Sequence, residues 1–177
     1  MSEIKHILVI IGSAGTTTAN EKLVNLIANR ISDSFQLTVF NELKSLPHFD
    51  PELSVNNPPE AIQSIRSAIE QADGVIICTP EYIFSIPSGL KNLFEWCVAT
   101  TVFDGKPTGL ITASANGKMG HEELQLIART VMAKFTEAST LLIPGIKGKF
   151  DAEGTLTDDE TTRQLTAFLD GFRQLLD

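Results

Sequence analysis

A doubly wound α/β domain, with a parallel sheet covered by helices on both faces, is the fold class this sequence predicts. Three observations predict it. Short apolar, β-branched runs take turns with stretches whose apolar residues recur every three to four positions. The strand-like runs are short and mostly apolar throughout, as strands buried on both faces require. No linker, low-complexity tract or internal repeat divides the 177 residues, so 1–177 reads as one domain.

The elements follow in order. Ile4 to Ile11 is a buried strand that stops at Gly12. Thr18 to Ile31 carries Leu23, Ile27 and Ile31 on one helical face. Phe35 to Phe40 is a second strand. Leu43 to Pro59 holds Pro47, Pro51, Pro58 and Pro59 and reads as a long surface connection. Pro59 to Ala72 is a helix with Ile62, Ile65 and Ile69 in register, and proline suits its first turn. Gly74 to Cys78 is a third strand, Ser88 to Val98 a helix, and Thr108 to Ala113 a fourth strand. Gly120 to Phe135 reads as a helix, Thr140 to Ile143 as a fifth strand, and Lys147 to Leu156 as a polar loop. Thr157-Asp-Asp-Glu160 has capping-box composition, and a last helix runs on through Leu165, Phe168, Phe172 and Leu176.

Composition excludes several functions. Fourteen basic residues against 22 acidic ones leave a net charge of −8, and the basic residues form no stripe. A nucleic-acid or anionic-membrane surface is therefore not expected. The longest apolar run, Ile7 to Ile11, is far too short to span a bilayer, and Glu3, Lys5 and His6 interrupt any leader-like start. The expectation is a soluble cytoplasmic protein. Cys78 and Cys97 form no CxxC pair and read as buried, reduced thiols. His6, His48 and His121 stand alone, so no metal site is expected.

In open α/β sheets, ligands lie beyond the carboxyl ends of the strands. Three loops meet that condition. Gly12 to Asn20 is built of small residues and runs into a helix start, where free N–H groups attract an anion. Ser13, Thr16, Thr17 and Thr18 add hydroxyl donors, and the loop has no Lys or Arg. Such a neutral cradle suits a monophosphate, although an N-cap and tight turn without a ligand would use the same residues. GxxxxGK[ST], GxGxxG and GxSxG are all missing, which excludes a P-loop NTPase, a dinucleotide fingerprint and an α/β-hydrolase elbow. A receiver domain would need acidic residues after the first strand and an Asp after the third, where Gly12-Ser13 and Cys78-Thr79 stand.

The second loop, Thr79 to Pro87, places Tyr82, Ile83 and Phe84 directly after a core strand. Such side chains either cover a flat aromatic ligand, pack on another subunit or fold back on their own core. Backbone amides after Pro80 are placed to read a ligand's polar edge. The third loop is Ser114 to His121.

These residues resemble the NAD(P)H-dependent FMN reductase family, which includes quinone, azo and chromate reductases. The family's phosphate loop, G-S-x-R-x-x-S-x-N, is matched by Gly12, Ser13, Thr18 and Asn20. Its flavin loop, T-P-E-Y-N-x-S-x-P-x-x-L-K-N-x-x-D-W, is matched by Thr79, Pro80, Glu81, Tyr82, Ser85, Pro87, Leu90, Lys91, Asn92 and Trp96, with Glu95 for Asp. Ser114-Ala-Asn-Gly-Lys-Met-Gly120 corresponds to its third loop. Gly15 stands where the family has Arg, and Ile83 where it has Asn.

The resemblance implies a flavodoxin-like five-stranded sheet of order 2-1-3-4-5. It also implies FMN and NAD(P)H as cofactors, with hydride passing from nicotinamide to flavin N5 and on to a quinone, azo, metal-oxyanion or flavin acceptor. The cofactor-binding residues it implies are Ser13, Gly15, Thr16, Thr17, Thr18, Asn20, Pro80, Glu81, Tyr82, Ile83, Ser114, Asn116 and Gly117. No catalytic acid or base is needed, because the cofactor carries the chemistry, and Glu81 is expected to fix its loop or a subunit contact. The resemblance also implies a homodimer or homotetramer, with Tyr82, Phe84, Phe94 and Trp96 as contact candidates, although Phe94 and Trp96 equally suit the core. The rival reading is a non-enzymatic FMN-binding electron carrier or flavin-sensing protein, which would not oxidise NAD(P)H.

Overall fold

The computed structural model describes residues 4–13, 15, 18–31 and 35–177. Five strands form one parallel sheet: β1 (Lys5–Ile11), β2 (Phe35–Phe40), β3 (Gly74–Thr79), β4 (Thr108–Ser114) and β5 (Thr140–Pro144), in the order β2-β1-β3-β4-β5. Among the described residues six α-helices accompany them: α1 (Ala19–Ile31), α2 (Pro51–Asn56), α3 (Glu60–Gln71), α4 (Ser88–Cys97), α5 (Lys118–Thr130) and α6 (Asp159–Leu176). The flavodoxin-like order expected from the resemblance is the order observed.

Strand pleating sorts the core into two layers. Ile7, Val9 and Ile11 of β1, Ile76 and Cys78 of β3, and Ile111 and Ala113 of β4 face the apolar stripes of α1 and α6. The alternate residues Leu8, Ile10, Val75, Ile77 and Leu110 face α3, α4 and α5. The two-residue period of a strand makes both layers from continuous apolar runs. Pairing of Ile11 with Cys78 and of Thr79 with Thr112 brings the ends of β1, β3 and β4 to one edge.

Several expectations are corrected. The connection from 43 to 59 is partly structured: Leu43–Ser45 forms a 3-10 turn, and Asp50 caps α2 by accepting from the Glu52 and Leu53 N–H groups. Leu43 and Leu46 are buried under α4, so this segment is a cover, not only a surface strap. Helix α5 starts at Lys118 and ends at Thr130, before Phe135. Met132 follows at φ 61°, a left-handed residue that terminates the helix, while Val131 and Phe135 still pack on the core. At α6 the cap is Asp158, whose carboxylate accepts from the Thr161 N–H at 2.8 Å. The segment after β5 forms a 3-10 turn at Ile146–Lys149.

Candidate active site

Three strand ends build the floor of the site. Gly12 follows β1 and donates its N–H to Cys78 O at 2.8 Å, and a Cβ there would lie 2.3 Å from Thr79 Oγ1. Only glycine permits so close an approach. Asn20, in the first turn of α1, is buried and bound at both ends of its amide: Nδ2 donates to Ala113 O, and Oδ1 accepts from Cys78 Sγ at 3.3 Å. It pins α1 across β3 and β4. Burial raises the Cys78 thiol far above its ordinary range, and pushes Cys97 up to about 12 against the pull of Arg66. Both thiols therefore stay neutral.

Above this floor lies a cleft of about 790 Å³. Of the residues singled out in the sequence, it brings together Ser13, Thr18, Asn20, Pro80, Tyr82 and Ser114. Thr18 is the N-cap of α1: its hydroxyl accepts from the Glu21 N–H at 3.2 Å and shares a 3.0 Å hydrogen bond with Ser13 Oγ. Gly15 is exposed beside Thr18. Thr16 and Thr17 lie outside the described residues.

Glu81 points away from the cleft wall into the start of α5. Its carboxylate accepts from the Gly120 N–H at 2.8 Å and the Gly117 N–H at 3.3 Å, while its backbone oxygen accepts from Ser114 Oγ. Gly117 has φ 87° and turns the chain into the helix. Asn116 Oδ1 accepts from the Lys118 N–H in the same turn. From the next turn of α5, Glu123 reaches back, accepting from Ser85 Oγ at 2.6 Å and the Ile86 N–H at 3.0 Å. Two carboxylates thus bind the second loop to the third. His121, also near the start of α5, shares a 2.9 Å hydrogen bond with Thr112 Oγ1, and burial lowers its pKa.

Between those anchors, Tyr82 and Ser85 pair across a tight turn whose tip, Ile83 and Phe84, has φ 51° and 59°. Ile83 is 95 % and Phe84 73 % exposed, so neither covers the cleft. Phe94 and Trp96 are core residues. Trp96 stacks edge-on against Phe49 and donates Nε1–H to Pro47 O, and Asn92 holds the same segment through Pro47 O and the Phe49 N–H.

A fourth wall was not anticipated. Gly145, Ile146, Lys147, Gly148, Phe150 and Asp151, after β5, line the cleft, and Phe150 meets Lys22 of α1. The available signal was positional: this segment also follows a strand's carboxyl end, and it carries Gly145, Lys147 and Gly148 in close succession.

Comparisons with known proteins point to one family. The model of the NADPH-dependent FMN reductase family matches residues 6–146. The chain is similar to the NADH:(hydroxy)cinnamate reductase subunit CrdA of Vibrio ruber, at 30 % identity over 96 % of this chain and 89 % of the relative. It is equally similar to a quinone reductase of Escherichia coli, at 30 % identity over 95 % of each. Among solved structures, FerB, a flavoenzyme NAD(P)H:(acceptor) oxidoreductase from Paracoccus denitrificans, superposes with a TM-score of 0.78 at 23 % identity, covering 98 % and 97 % of the two chains.

Proposed function

The chain belongs to the NADPH-dependent FMN reductase family, and from that premise we propose how its own residues perform an NAD(P)H-dependent FMN oxidoreductase reaction. The observation that carries the reading is the cleft at the ends of β1, β3 and β4, where hydroxyls, a proline, a tyrosine and a helix start from three loops converge.

FMN fits this donor set. Ser13 and Thr18 offer hydroxyls beside the N-terminus of α1, which suits a single phosphate dianion. Gly15, Thr16 and Thr17 belong to the same loop. Pro80, Tyr82 and Ser114 bound the space for the ring, and Glu81, Ile83, Asn116 and Gly117 stand in the two loops that carry them. Asn20 acts beneath, holding α1 at the height where Thr18 meets the phosphate. Bound FMN supplies the two-electron chemistry between a nicotinamide and an acceptor. The protein supplies orientation. Glu81 and Glu123 hold the second and third loops in one frame, and the apolar floor keeps bulk water from below.

The acceptor we assign is a quinone, in keeping with the relatives that bear that name. We also assign the chain to the cytoplasm and to a homo-oligomer, as a single domain over 1–177. Among the described residues no helix is long and apolar enough to cross a membrane. The exposed Tyr82-Ile83-Phe84 tip supports self-association.

The test is the visible spectrum of purified protein, followed by anaerobic titration. A flavin spectrum that bleaches on NADPH and returns on adding benzoquinone is the expected result. A bound flavin that no nicotinamide bleaches would favour the carrier reading. Sedimentation of wild type and Phe84→Ser reads the oligomer: wild type is expected above monomer mass and the variant lower.

A further inference from the structure

Two lysines line the cleft, Lys22 of α1 and Lys147 of the wall formed after β5. Lys22 lies one helical turn beyond Thr18, donating its backbone N–H to Thr18 O at 3.1 Å, so the two side chains share a face of α1. Its ammonium sits 5.8 Å from the Phe150 ring centroid. At Gly154 a Cβ would come within 3.8 Å of the same nitrogen, so the lysine stem lies along the loop with its head at the cleft. Lys147, which lines the same cleft, is carried on a segment fixed at two points. Ile146 is buried in the core, and the Gly145 N–H donates to Ala115 O at 3.1 Å.

Neither Lys22 nor Lys147 forms an ion pair among the described residues, whereas Lys149, two positions on, is paired with Asp158 at 2.9 Å. Asp151, the one carboxylate among the described residues that lines the cleft, accepts the Thr155 N–H at 2.7 Å and closes its own loop. A chain of net charge −8 thus turns two unpaired cations into one cleft. Lys22 stands one turn from Thr18 and Lys147 on the segment after β5, so the two cations extend the cleft beyond the Ser13–Thr18 hydroxyls.

We propose that Lys22 and Lys147 form a phosphate subsite for the nicotinamide dinucleotide, favouring NADPH through its additional 2′-phosphate. This rests on the reading that the flavin phosphate takes the Ser13–Thr18 cradle. The dinucleotide brings a diphosphate and, in NADPH, a further phosphate dianion, and neutral hydroxyls match that charge poorly. Two lysines lining one cleft match it as point charges.

The test titrates FMN-loaded protein with 2′,5′-ADP and with 5′-ADP by calorimetry, in wild type, Lys22→Gln, Lys147→Gln and the double variant. Wild type is expected to bind 2′,5′-ADP more tightly than 5′-ADP. Each substitution weakens 2′,5′-ADP roughly tenfold, while melting temperature and FMN affinity hold. Lys22→Arg restores binding if the Gln variant loses stability. Equal 2′,5′-ADP binding by wild type and double variant would overturn the proposal. So would loss of FMN in place of loss of 2′,5′-ADP, which would give the lysines to the flavin phosphate. A wild type that cannot be loaded with FMN would overturn the flavin reading and the subsite with it, whereas unchanged 2′,5′-ADP binding in the loaded double variant overturns the subsite alone.

Discussion

Helices α1 and α5 both start at the carboxyl edge of the sheet, and the two starts are closed by opposite chemistry. At α1 the cap is a neutral hydroxyl, Thr18, bonded to a second hydroxyl, Ser13, and open to the cleft. At α5 it is the Glu81 carboxylate, seated on the Gly117 and Gly120 N–H groups. A helix start attracts negative charge wherever it occurs. At α5 the protein provides that charge itself, and at α1 the cap leaves room for a ligand's. The difference assigns the anion to α1 and a clamping role to α5.

The largest expected effect comes from making α1 resemble α5. Thr18→Asp keeps a good N-cap, so the fold should survive with an unchanged or slightly higher melting temperature. A carboxylate near 4 Å from a phosphate costs about 4 kcal/mol at an effective dielectric of 20. FMN affinity should fall on the order of a hundredfold or more, read by flavin fluorescence titration. Undiminished FMN binding would break the comparison.

The second change removes the clamp. Glu81→Ala leaves two N–H groups of α5 without their charged acceptor and frees the second loop from the third. Charge-assisted hydrogen bonds contribute about 1.5–3 kcal/mol, so the melting temperature should drop by roughly 5–10 °C. Glu81→Gln, which keeps one acceptor oxygen, should recover about half of that. FMN affinity should fall with Glu81→Ala as well, because the loops that bound its ring lose their frame.

How much of this was legible in the sequence follows from range. The five strands and the helices over α1, α3, α4 and α6 are visible because burial imposes periods of 2 and 3.6 on neighbouring residues. Helix α2 escapes because six residues carry too little periodicity between prolines. The end of α5 was overrun because Val131 and Phe135 stay in register with the core after Met132 has broken the helix. At the site, the three loops were located by topology alone. Glu81 is expected from the sequence to fix its loop or a subunit contact, but its partners in the third loop and α5 lie 36 and 39 residues away, which no local pattern encodes. Lys147 and Phe150 were read only as loop, since β5 lies at the sheet edge and its turn toward α1 is a tertiary outcome.

The third prediction sharpens the hydroxyl side of the comparison. At Gly15 a Cβ would meet Thr18 Cγ2 at 3.1 Å, a contact a small methyl shift relieves. Gly15→Arg would place a guanidinium at the phosphate cradle. Allowing for the ordering of a long side chain, FMN should bind up to about tenfold more tightly. An unchanged Kd with unchanged stability would put the phosphate elsewhere.

The smallest effect concerns the tip that the two carboxylates hold between them. Ile83 and Phe84 sit at φ 51° and 59°, where a β-branched side chain crowds the backbone, and Ile83 is 95 % exposed, so it repays none of that strain by packing within the chain. Asparagine tolerates this conformation far better. Ile83→Asn should therefore stabilise the protein by about 1 kcal/mol, a rise of roughly 2–4 °C in melting temperature. FMN affinity should not fall, because the side chain points away from the cleft. The sign of the stability change is the discriminating result. A monomeric preparation should show the full gain, since it has only the strain to lose. In an oligomer that seats Ile83 against a neighbouring copy, the same substitution removes apolar burial worth about 1.5–3 kcal/mol, and the melting temperature should fall instead. Measuring it at two protein concentrations separates the two states, and a loss of stability in the dilute, monomeric sample would show that the strained tip is not strained at all.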